Sequence, residues 1–249
     1  MKRVLFLAMA VMLLSCSVRD TGKRIADPPA DGKEMTVRKL SQEVDDPASV
    51  PELFSKEGIE YQSISTINFG QSYPVVPKVS FAVAYTDNNI VIHYKVSEPS
   101  VRAVANADCQ RVWEDSCCEF FSTPVKDGYY YNLEANCTGT ILIEGGSVKS
   151  PREYAPEEVL QSVKRWSSLG RESFETKEEP TEWEMALIVP FRTFYFKHHV
   201  KSLKGRTIRA NFYKCGDLLP VPHYLSWSPI HPPATHFHCP DFFGTLRFK

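Results

Sequence analysis

The sequence predicts an all-β fold, an antiparallel β-sandwich with at most short helices. Eighteen prolines against twelve glycines in 249 residues favour turns and strand edges over a helical bundle. From residue 79 onward, short apolar or alternating runs are separated by turn residues, which is the pattern of a sandwich. The predicted strands cover residues 80–84, 90–96, 117–121, 129–134, 140–144, 183–189, 207–213 and 244–248.

Turn and helix signals connect these strands. Residues 86–89, Thr-Asp-Asn-Asn, are the predicted hairpin turn between the first two strands, and residues 123–128 join the next pair. A short surface helix is predicted over residues 156–163, because a proline followed by two glutamates suits a helix N-terminus. No internal repeat or mid-chain linker is present, so residues 39–249 are predicted to form one domain.

Composition excludes several classes of function. Lys and Arg number 29 against 30 Asp and Glu, so the net charge of -1 gives no general attraction to nucleic acid. The chain has no nucleophile-elbow, P-loop or dinucleotide-binding motif. Its 43% hydrophobic content is enough to build a core without disulfide bonds.

The N-terminus predicts export and lipid anchoring. Two basic residues precede the apolar run of residues 4–14, which is too short to span a bilayer and resembles the core of a signal peptide. The following Leu-Leu-Ser-Cys resembles the bacterial lipobox, in which the cysteine is acylated after cleavage. We therefore expect a signal peptide over residues 1–15, a lipidated Cys16 and a flexible polar tether over residues 16–38.

The expected location follows from this interpretation. A lipid-anchored protein lies outside the cytoplasm at the cell envelope, on the outer membrane if the cell is Gram-negative, with the lipid bilayer as one partner. The alternative is a plain secretory signal in which Cys16 is incidental.

Six further cysteines would then sit in an oxidising compartment. Up to three disulfides and 15 pairings are conceivable, and spacing alone does not choose among them. The alternative is that most are small buried apolar residues. A zinc site has no Cys-x-x-Cys pair to begin from, although His236 and His238 with His223 and His231 invite a metal-binding interpretation.

The candidate site lies around Trp113, where one indole and several carboxylates crowd together. Strand alternation sends Glu119 to the face opposite the core, and Asn132 and Glu134 of the next strand to the same face. A hairpin centred near residues 125 and 126 would pair Glu119 with Asn132, and Cys117 with Glu134. Arg111, just before the indole, completes the candidate set.

Two functions suit this group. Paired carboxylates are typical of a glycoside hydrolase, with Glu119 and either Glu134 or Asp115 as the pair. Carboxylates and amides beside an indole are equally suited to binding a sugar, because they accept hydrogen bonds from hydroxyls while the ring stacks on the sugar's C–H face. A solvated polar sheet face with no ligand is the third interpretation.

Six segments in order also carry a resemblance to a known family. They are residues 112–121 (VWEDSCCEFF), 130–140 (YYNLEANCTGT), 183–191 (WEMALIVPF), 211–217 (NFYKCGD), 225–229 (LSWSP) and 240–246 (PDFFGTL). Together they resemble the family 9 carbohydrate-binding module of bacterial lipoproteins and xylanases, over about residues 79–248.

The resemblance implies a distorted jelly-roll that binds a poly- or oligosaccharide without cleaving it. It implies that Trp113 and Trp227 clamp a sugar ring and that Glu119 accepts a hydroxyl, while Asn132, Glu134 and Arg111 rest on the face argument. Structural calcium, found in some members, is the only cofactor it suggests, and the family's calcium ligands find no match here. Glycosidases or sugar-uptake proteins are the partners it implies.

Three alternatives remain open at this stage. The first is a xylanase-like glycoside hydrolase. The second is a haem-binding sandwich, which would need an axial ligand such as Met35 or Met185, although the first is assigned to the tether and the second to the core. The third is a scaffold with an empty site.

Overall fold

The structure is a computed structural model that describes residues 25–69, 73, 76–232, 234 and 236–249. The predicted signal peptide and lipidation site Cys16 lie outside these residues. Among the residues described, no helix is both long enough and apolar enough to cross a membrane.

Sixteen strands and two α-helices make up this part of the chain. The strands are β1 (Glu34–Lys39), β2 (Gln62–Ser63), β3 (Thr66–Ile67), β4 (Lys78–Tyr85), β5 (Asn89–Glu98), β6 (Val101–Ala103), β7 (Cys117–Thr123), β8 (Tyr129–Asn136), β9 (Ile141–Ser147), β10 (Glu153–Tyr154), β11 (Lys164–Ser167), β12 (Phe174–Lys177), β13 (Thr181–Pro190), β14 (Thr207–Cys215), β15 (Tyr224–Ser226) and β16 (Gly244–Phe248). The helices are α1 (Val50–Glu57) and α2 (Glu157–Ser162). All eight predicted strands and the predicted short helix are confirmed.

Two sheets face each other and form the sandwich. The front sheet has the order β10-β9-β8-β7-β14-β16-β1, with β15 added beside β14 and β3 beside β15. The back sheet has the order β1-β4-β5-β13-β11, with β2 beside β4. β1 belongs to both sheets, and its pairings with β16 and β4 are parallel, whereas the pairings among the other described strands are antiparallel.

Apolar side chains from the inner faces of the two sheets fill the space between them. Phe81 of the back sheet stacks on Phe212 of the front sheet with ring centroids 3.8 Å apart. Cys118, Phe120 and Leu133 point into this core as alternation predicts. Their neighbours in sequence therefore point to the outer face of the front sheet.

Additional layers cover both outer faces. Helix α1 places Leu53 and Phe54 against Ala82 and Val91 on the back sheet. On the front sheet, a second apolar cluster forms around Phe121 and brings loops from distant parts of the sequence against the strands. The loops over the front sheet build the site described below.

The predicted tether is wrong over its C-terminal part, because residues 25–38 pack against the domain. Ile25 and Val37 are buried, and the Ala26 carbonyl accepts a hydrogen bond of 2.7 Å from the buried Arg209 guanidinium. The predicted boundary between residues 38 and 39 cuts through β1. A polar segment can still order itself when its backbone completes a sheet, since β1 supplies the link between β16 and β4.

A buried ion pair joins the sheets at one end of the core. The Lys214 ammonium lies 2.9 Å from the Glu98 carboxylate, which also accepts a 2.7 Å hydrogen bond from the Trp183 indole. The same ammonium donates to Nε2 of His223 over 2.8 Å, so this imidazole is neutral and accepts. Burial, reinforced by the charge of Lys214, lowers the pKa of His223 to about 2.

The lowered pKa of His223 makes stability depend on pH. Below its ordinary pKa near 6.5, the unfolded chain binds a proton that the folded chain rejects, so the free energy of unfolding falls with falling pH by up to about 1.4 kcal/mol per unit. His223→Gln removes this titration. We expect the stability gap between wild type and variant to narrow as pH falls from 7 to 5, measured by urea unfolding.

The exposed His199 provides the matched control. The gap between wild type and His199→Gln should stay constant over the same range. A gap for His223→Gln that is independent of pH would contradict the buried, neutral imidazole.

Candidate functional site

A cavity of about 600 Å³ opens on the outer face of the front sheet. Its floor comes from β7, β8, β9 and β14, and its walls come from residues 69, 73, 113 and 236–238. Six aromatic residues line it: Phe69, Tyr73, Trp113, Phe121, Tyr224 and Phe237. Four carboxylic acids line it as well: Glu119, Glu134, Glu144 and Asp217.

Trp113 forms one wall and is half-buried. It lies on a 3-10 turn, Val112–Glu114, that leads into β7. The loop after β14 fixes this turn, since the amide of Asp217 donates to the Trp113 carbonyl over 3.1 Å and the amide of Leu218 donates to the Glu114 carbonyl over 3.1 Å. The position of the indole thus depends on two segments about 100 residues apart in sequence.

The opposite wall comes from the proline-rich segment near the C-terminus. Phe237 stacks on the buried Tyr213 with ring centroids 4.2 Å apart and an interplanar angle of 11°. The Tyr213 hydroxyl donates to the Phe237 carbonyl over 3.2 Å. Beside it, Nδ1 of His238 lies 3.0 Å from the Tyr130 hydroxyl, and burial lowers the pKa of His238 to about 4. A neutral imidazole at the cavity wall is the result.

Glu119 and Glu134 lie directly opposite each other on β7 and β8, at the floor of the cavity. They are only 3% and 4% exposed. Cys215 on β14 donates its thiol to Oε1 of Glu119 over 3.0 Å. Burial raises the pKa of Glu119 well above its ordinary value, and raises that of Glu134 to about 7. Burial at the floor therefore favours the uncharged form of both carboxyl groups.

A polar network behind the cavity orients Glu134. The Asn132 amide donates to Oε1 of Glu134 over 2.8 Å and to Oε2 of Glu144 over 3.3 Å. The Asn132 carbonyl oxygen accepts from the Arg152 guanidinium, which stacks 3.8 Å above the Tyr130 ring. Asn132 is fully buried and does not line the cavity, so the predicted ligand-binding residue is a positioning residue instead.

The predicted register of the hairpin formed by β7 and β8 is wrong by two residues. Glu119 pairs with Glu134 rather than with Asn132, and Cys117 pairs with Asn136 rather than with Glu134. In the turn, Gly128 has a left-handed φ of 95°, and the amide of Tyr129 donates to the Asp127 side chain over 3.2 Å. A shift of two residues along one strand preserves the faces, so the predicted faces are correct.

The predicted second stacking residue, Trp227, is in the sandwich core. It is 1% exposed and makes edge contacts with Phe81 and Phe212, each with centroids 5.9 Å apart. At Gly244 an added Cβ would lie 2.5 Å from the indole, so the neighbouring strand is shaped around this ring. Trp227 lies two residues after Leu225 and, like Leu225, points into the core. Its indole could contact a sugar only if the core unfolded.

Two further candidates lie outside the cavity. Arg111 is a surface residue whose side chain is 73% exposed and pairs with Glu114. Asp115 is fully buried and accepts backbone hydrogen bonds from Val104 and Ala105, and it pairs with Arg102. Asp115 is therefore a structural residue that holds the backbone of residues 104 and 105 close to the start of β7. Its carboxylate is not available as a second catalytic acid.

The potential metal ligands that lie close together are not the histidines that the sequence suggested. In the part of the chain described, the only group of three potential ligands is Cys117, Glu119 and Cys215, with donor atoms within 4.8 Å of one another. Two of these three are thiols, whereas calcium takes oxygen ligands. This cluster therefore does not fit the structural calcium that the resemblance suggested. The six described cysteines outside residues 1–24 are free, and four of them are buried.

Several cavity residues escaped the sequence analysis. Leu142 and Glu144 on β9 share a face with Glu134, and continuing the alternation across one more hairpin would have found them. Phe69 and Asp217 come from loops, and Tyr224 comes from the short strand β15, and their approach to the cavity depends on tertiary contacts. The Asn68 side chain, for example, accepts from the amide of Ile230 over 2.9 Å.

Comparison with known proteins identifies relatives. Residues 48–248 match the profile of carbohydrate-binding family 9. The crystal structure of a proposed carbohydrate-binding protein from Bacteroides uniformis is 49% identical, with a TM-score of 0.85 over 88% of this chain and 100% of that chain. No curated protein matches.

Two more distant structures share the fold. Both are family 9 carbohydrate-binding modules from Caldicellulosiruptor kristjanssonii. The complex with glucose is 12% identical, with a TM-score of 0.53 over 87% of this chain and 96% of that chain. The complex with cellotriose is 13% identical, with a TM-score of 0.52 over 87% and 94%. At this identity they support the sandwich fold alone.

The two tryptophans should differ sharply in their contribution to stability. Trp227→Ala leaves a cavity in the core and should lower the free energy of unfolding by about 3–5 kcal/mol. Trp113→Ala removes a half-exposed wall and should lower it by no more than about 1 kcal/mol. Urea unfolding followed by circular dichroism measures both. Equal losses for the two variants would contradict the assignment of Trp227 to the core and Trp113 to the cavity.

Proposed function

Because the chain belongs to carbohydrate-binding family 9, we propose that the cavity on the front sheet is its sugar-binding site. In this proposal the protein holds a poly- or oligosaccharide without cleaving it, as expected of a binding module. The observation that carries the proposal is the presence of the half-exposed Trp113 indole beside the buried acids Glu119 and Glu134 in one cavity.

The indole and the other aromatic rings supply the apolar part of recognition. A pyranose ring presents C–H groups on its faces, and an indole stacks on them while the hydroxyls point outward. Only one tryptophan lines the cavity, so the second side of the ring would face Tyr73, Tyr224 or Phe237 on the opposite wall. This arrangement replaces the pair of tryptophans that the resemblance implied.

The carboxyl groups supply the polar part. Oε2 of Glu134 is buried and has no hydrogen-bond partner among the described residues, while Oε1 is held by Asn132. A buried acceptor without a partner costs free energy, and a sugar hydroxyl that donates to it would recover that cost. Asp217 at the cavity edge offers further acceptors.

The charge of the lining favours neutral sugars. The described residues that line the cavity include four carboxylic acids and no Lys or Arg. A uronic acid would bring its carboxylate into a partly desolvated site in which no described lining residue is a Lys or Arg that could pair with it. We therefore expect neutral hexoses to bind in preference to acidic ones.

The N-terminal segment places this activity at the cell envelope in our proposal. Cys16 would carry the lipid and hold the domain at the membrane surface, where it would deliver glycan to glycosidases or uptake proteins. The support is the signal-like run of residues 4–14 and the Leu-Leu-Ser-Cys motif, which resembles a lipobox.

Calorimetry with glucose and cellotriose tests the proposal. A hydrated sugar in an open site gains little beyond stacking and exchanged hydrogen bonds, so we expect dissociation constants in the micromolar to millimolar range, roughly −8 to −4 kcal/mol. Trp113→Ala should weaken binding by about tenfold or more, equivalent to about 1.4 kcal/mol. Glucuronate should bind more weakly than glucose.

Trp166→Ala provides the matched control, because Trp166 is a half-buried indole on β11 of the back sheet. Its affinity for sugar should equal that of the wild type. Analysis of the same mixtures for reaction products should find none. Release of sugar fragments would support a hydrolase, and binding that survives Trp113→Ala would contradict this site.

A further inference from the structure

A cluster of two thiols and one carboxyl group lies at the cavity floor, which two of its three members line. Cys117 on β7 is directly opposite Cys215 on β14, and Glu119 follows two residues later on the same face. The three donor atoms lie within 4.8 Å of one another, and Sγ of Cys215 is 3.0 Å from Oε1 of Glu119. Sugar recognition gives no reason for two thiols at this position.

No positively charged side chain among the described residues pairs with the acidic groups of the cluster. All three groups are buried, and none of their donor atoms has a cationic side chain as a hydrogen-bond or ion-pair partner in the part of the chain that the structure describes. The nearby Lys214 points into the sandwich core, where it pairs with Glu98. A cation bound here would therefore meet no competing positive side chain.

The cavity gives the cluster an entry path and room for another ligand. Glu119 and Cys215 both line the cavity, whereas Cys117 is buried and is not among the lining residues. An ion held by all three would have three protein ligands and one side open to the cavity. Three protein ligands plus an open position is the arrangement of zinc sites that exchange a water or substrate oxygen.

The donor types select the class of ion. Thiolates favour zinc and other thiophilic ions over magnesium and calcium, which prefer oxygen. In a tetrahedral site with Zn–S bonds of about 2.3 Å, neighbouring ligand atoms lie about 3.5–3.8 Å apart. The donor atoms of the cluster all lie within 4.8 Å of one another, and Sγ of Cys215 is 3.0 Å from Oε1 of Glu119, so rotation of these side chains could bring the three donors to such separations.

We propose that Cys117, Cys215 and Glu119 form a binding site for one thiophilic divalent cation, zinc by its donor set, at the floor of the cavity. Binding replaces the protons of the two thiols and of the carboxylic acid, so one ion enters and up to three protons leave. The fourth position faces the cavity and takes water or a sugar hydroxyl. The site goes beyond sugar binding and stands without it.

Titration of the sugar-free protein with Co²⁺ is the direct test, because cobalt in a thiolate site shows a sulfur-to-metal charge-transfer band in the near ultraviolet. The protein is first treated with chelator and reductant. We expect the band to saturate at one equivalent and to disappear when Zn²⁺ is added in competition. Cys117→Ser and Cys215→Ser should each weaken Zn²⁺ binding by about tenfold or more, as loss of one of three ligands predicts.

Cys118→Ala is the matched control. Cys118 is the next residue on β7, is equally buried, and points to the opposite face into the sandwich core. This variant should keep the wild-type band and affinity. Circular dichroism checks that all three variants are folded, and Glu119→Gln provides a further test that leaves both thiols in place.

Three outcomes would overturn the proposal. They are a protein without the charge-transfer band, a band that Cys118→Ala removes as fully as Cys117→Ser does, and a disulfide between Cys117 and Cys215 found by thiol counting before reduction. Glucose calorimetry with and without Zn²⁺ separates this proposal from the proposed function. If sugar binding fails while the cobalt band persists, the proposed function is wrong and the metal site stands. If sugar binds but the cobalt band is absent, the metal site is wrong and the proposed function stands.

Discussion

The pairing of β7 with β8 on one side and β14 on the other is the constraint on which the site depends. This double pairing places Glu119 opposite Glu134 and Cys117 opposite Cys215. Because alternation sends every second residue outward, the same register that buries Phe120 and Phe212 in the core brings the polar groups together on the outer face. Core packing and site geometry are thus determined together.

Burial of the acids at the cavity floor costs free energy, and packing of the core does not require these acids to be buried. Neither Glu119 nor Glu134 has a basic side chain as a hydrogen-bond or ion-pair partner within the described residues, and burial raises the pKa of both. Such groups are typical of functional sites, where a ligand supplies the missing partners. In the proposed function, sugar hydroxyls are these partners.

Local patterns predicted much of the fold, whereas contacts between distant segments escaped them. Alternation gave the correct faces for Glu119 and Glu134, but it did not determine the hairpin register, which pairs Glu119 with Glu134 rather than with Asn132. Trp227 has the sequence context of a clamp residue, and only the contacts with Phe81 and Phe212 reveal it as core. The ordered conformation of residues 34–38 likewise depends on pairing with β16 and β4, which lie far away in sequence.

The central claim is that one sugar ring stacks on Trp113 above the acids of the cavity floor. A crystal structure of the protein with cellotriose tests it most directly. The account predicts a pyranose against the Trp113 indole, with a hydroxyl within hydrogen-bond distance of Glu134. A sugar bound elsewhere on the surface, or a ring that leaves both residues without contact, would contradict it.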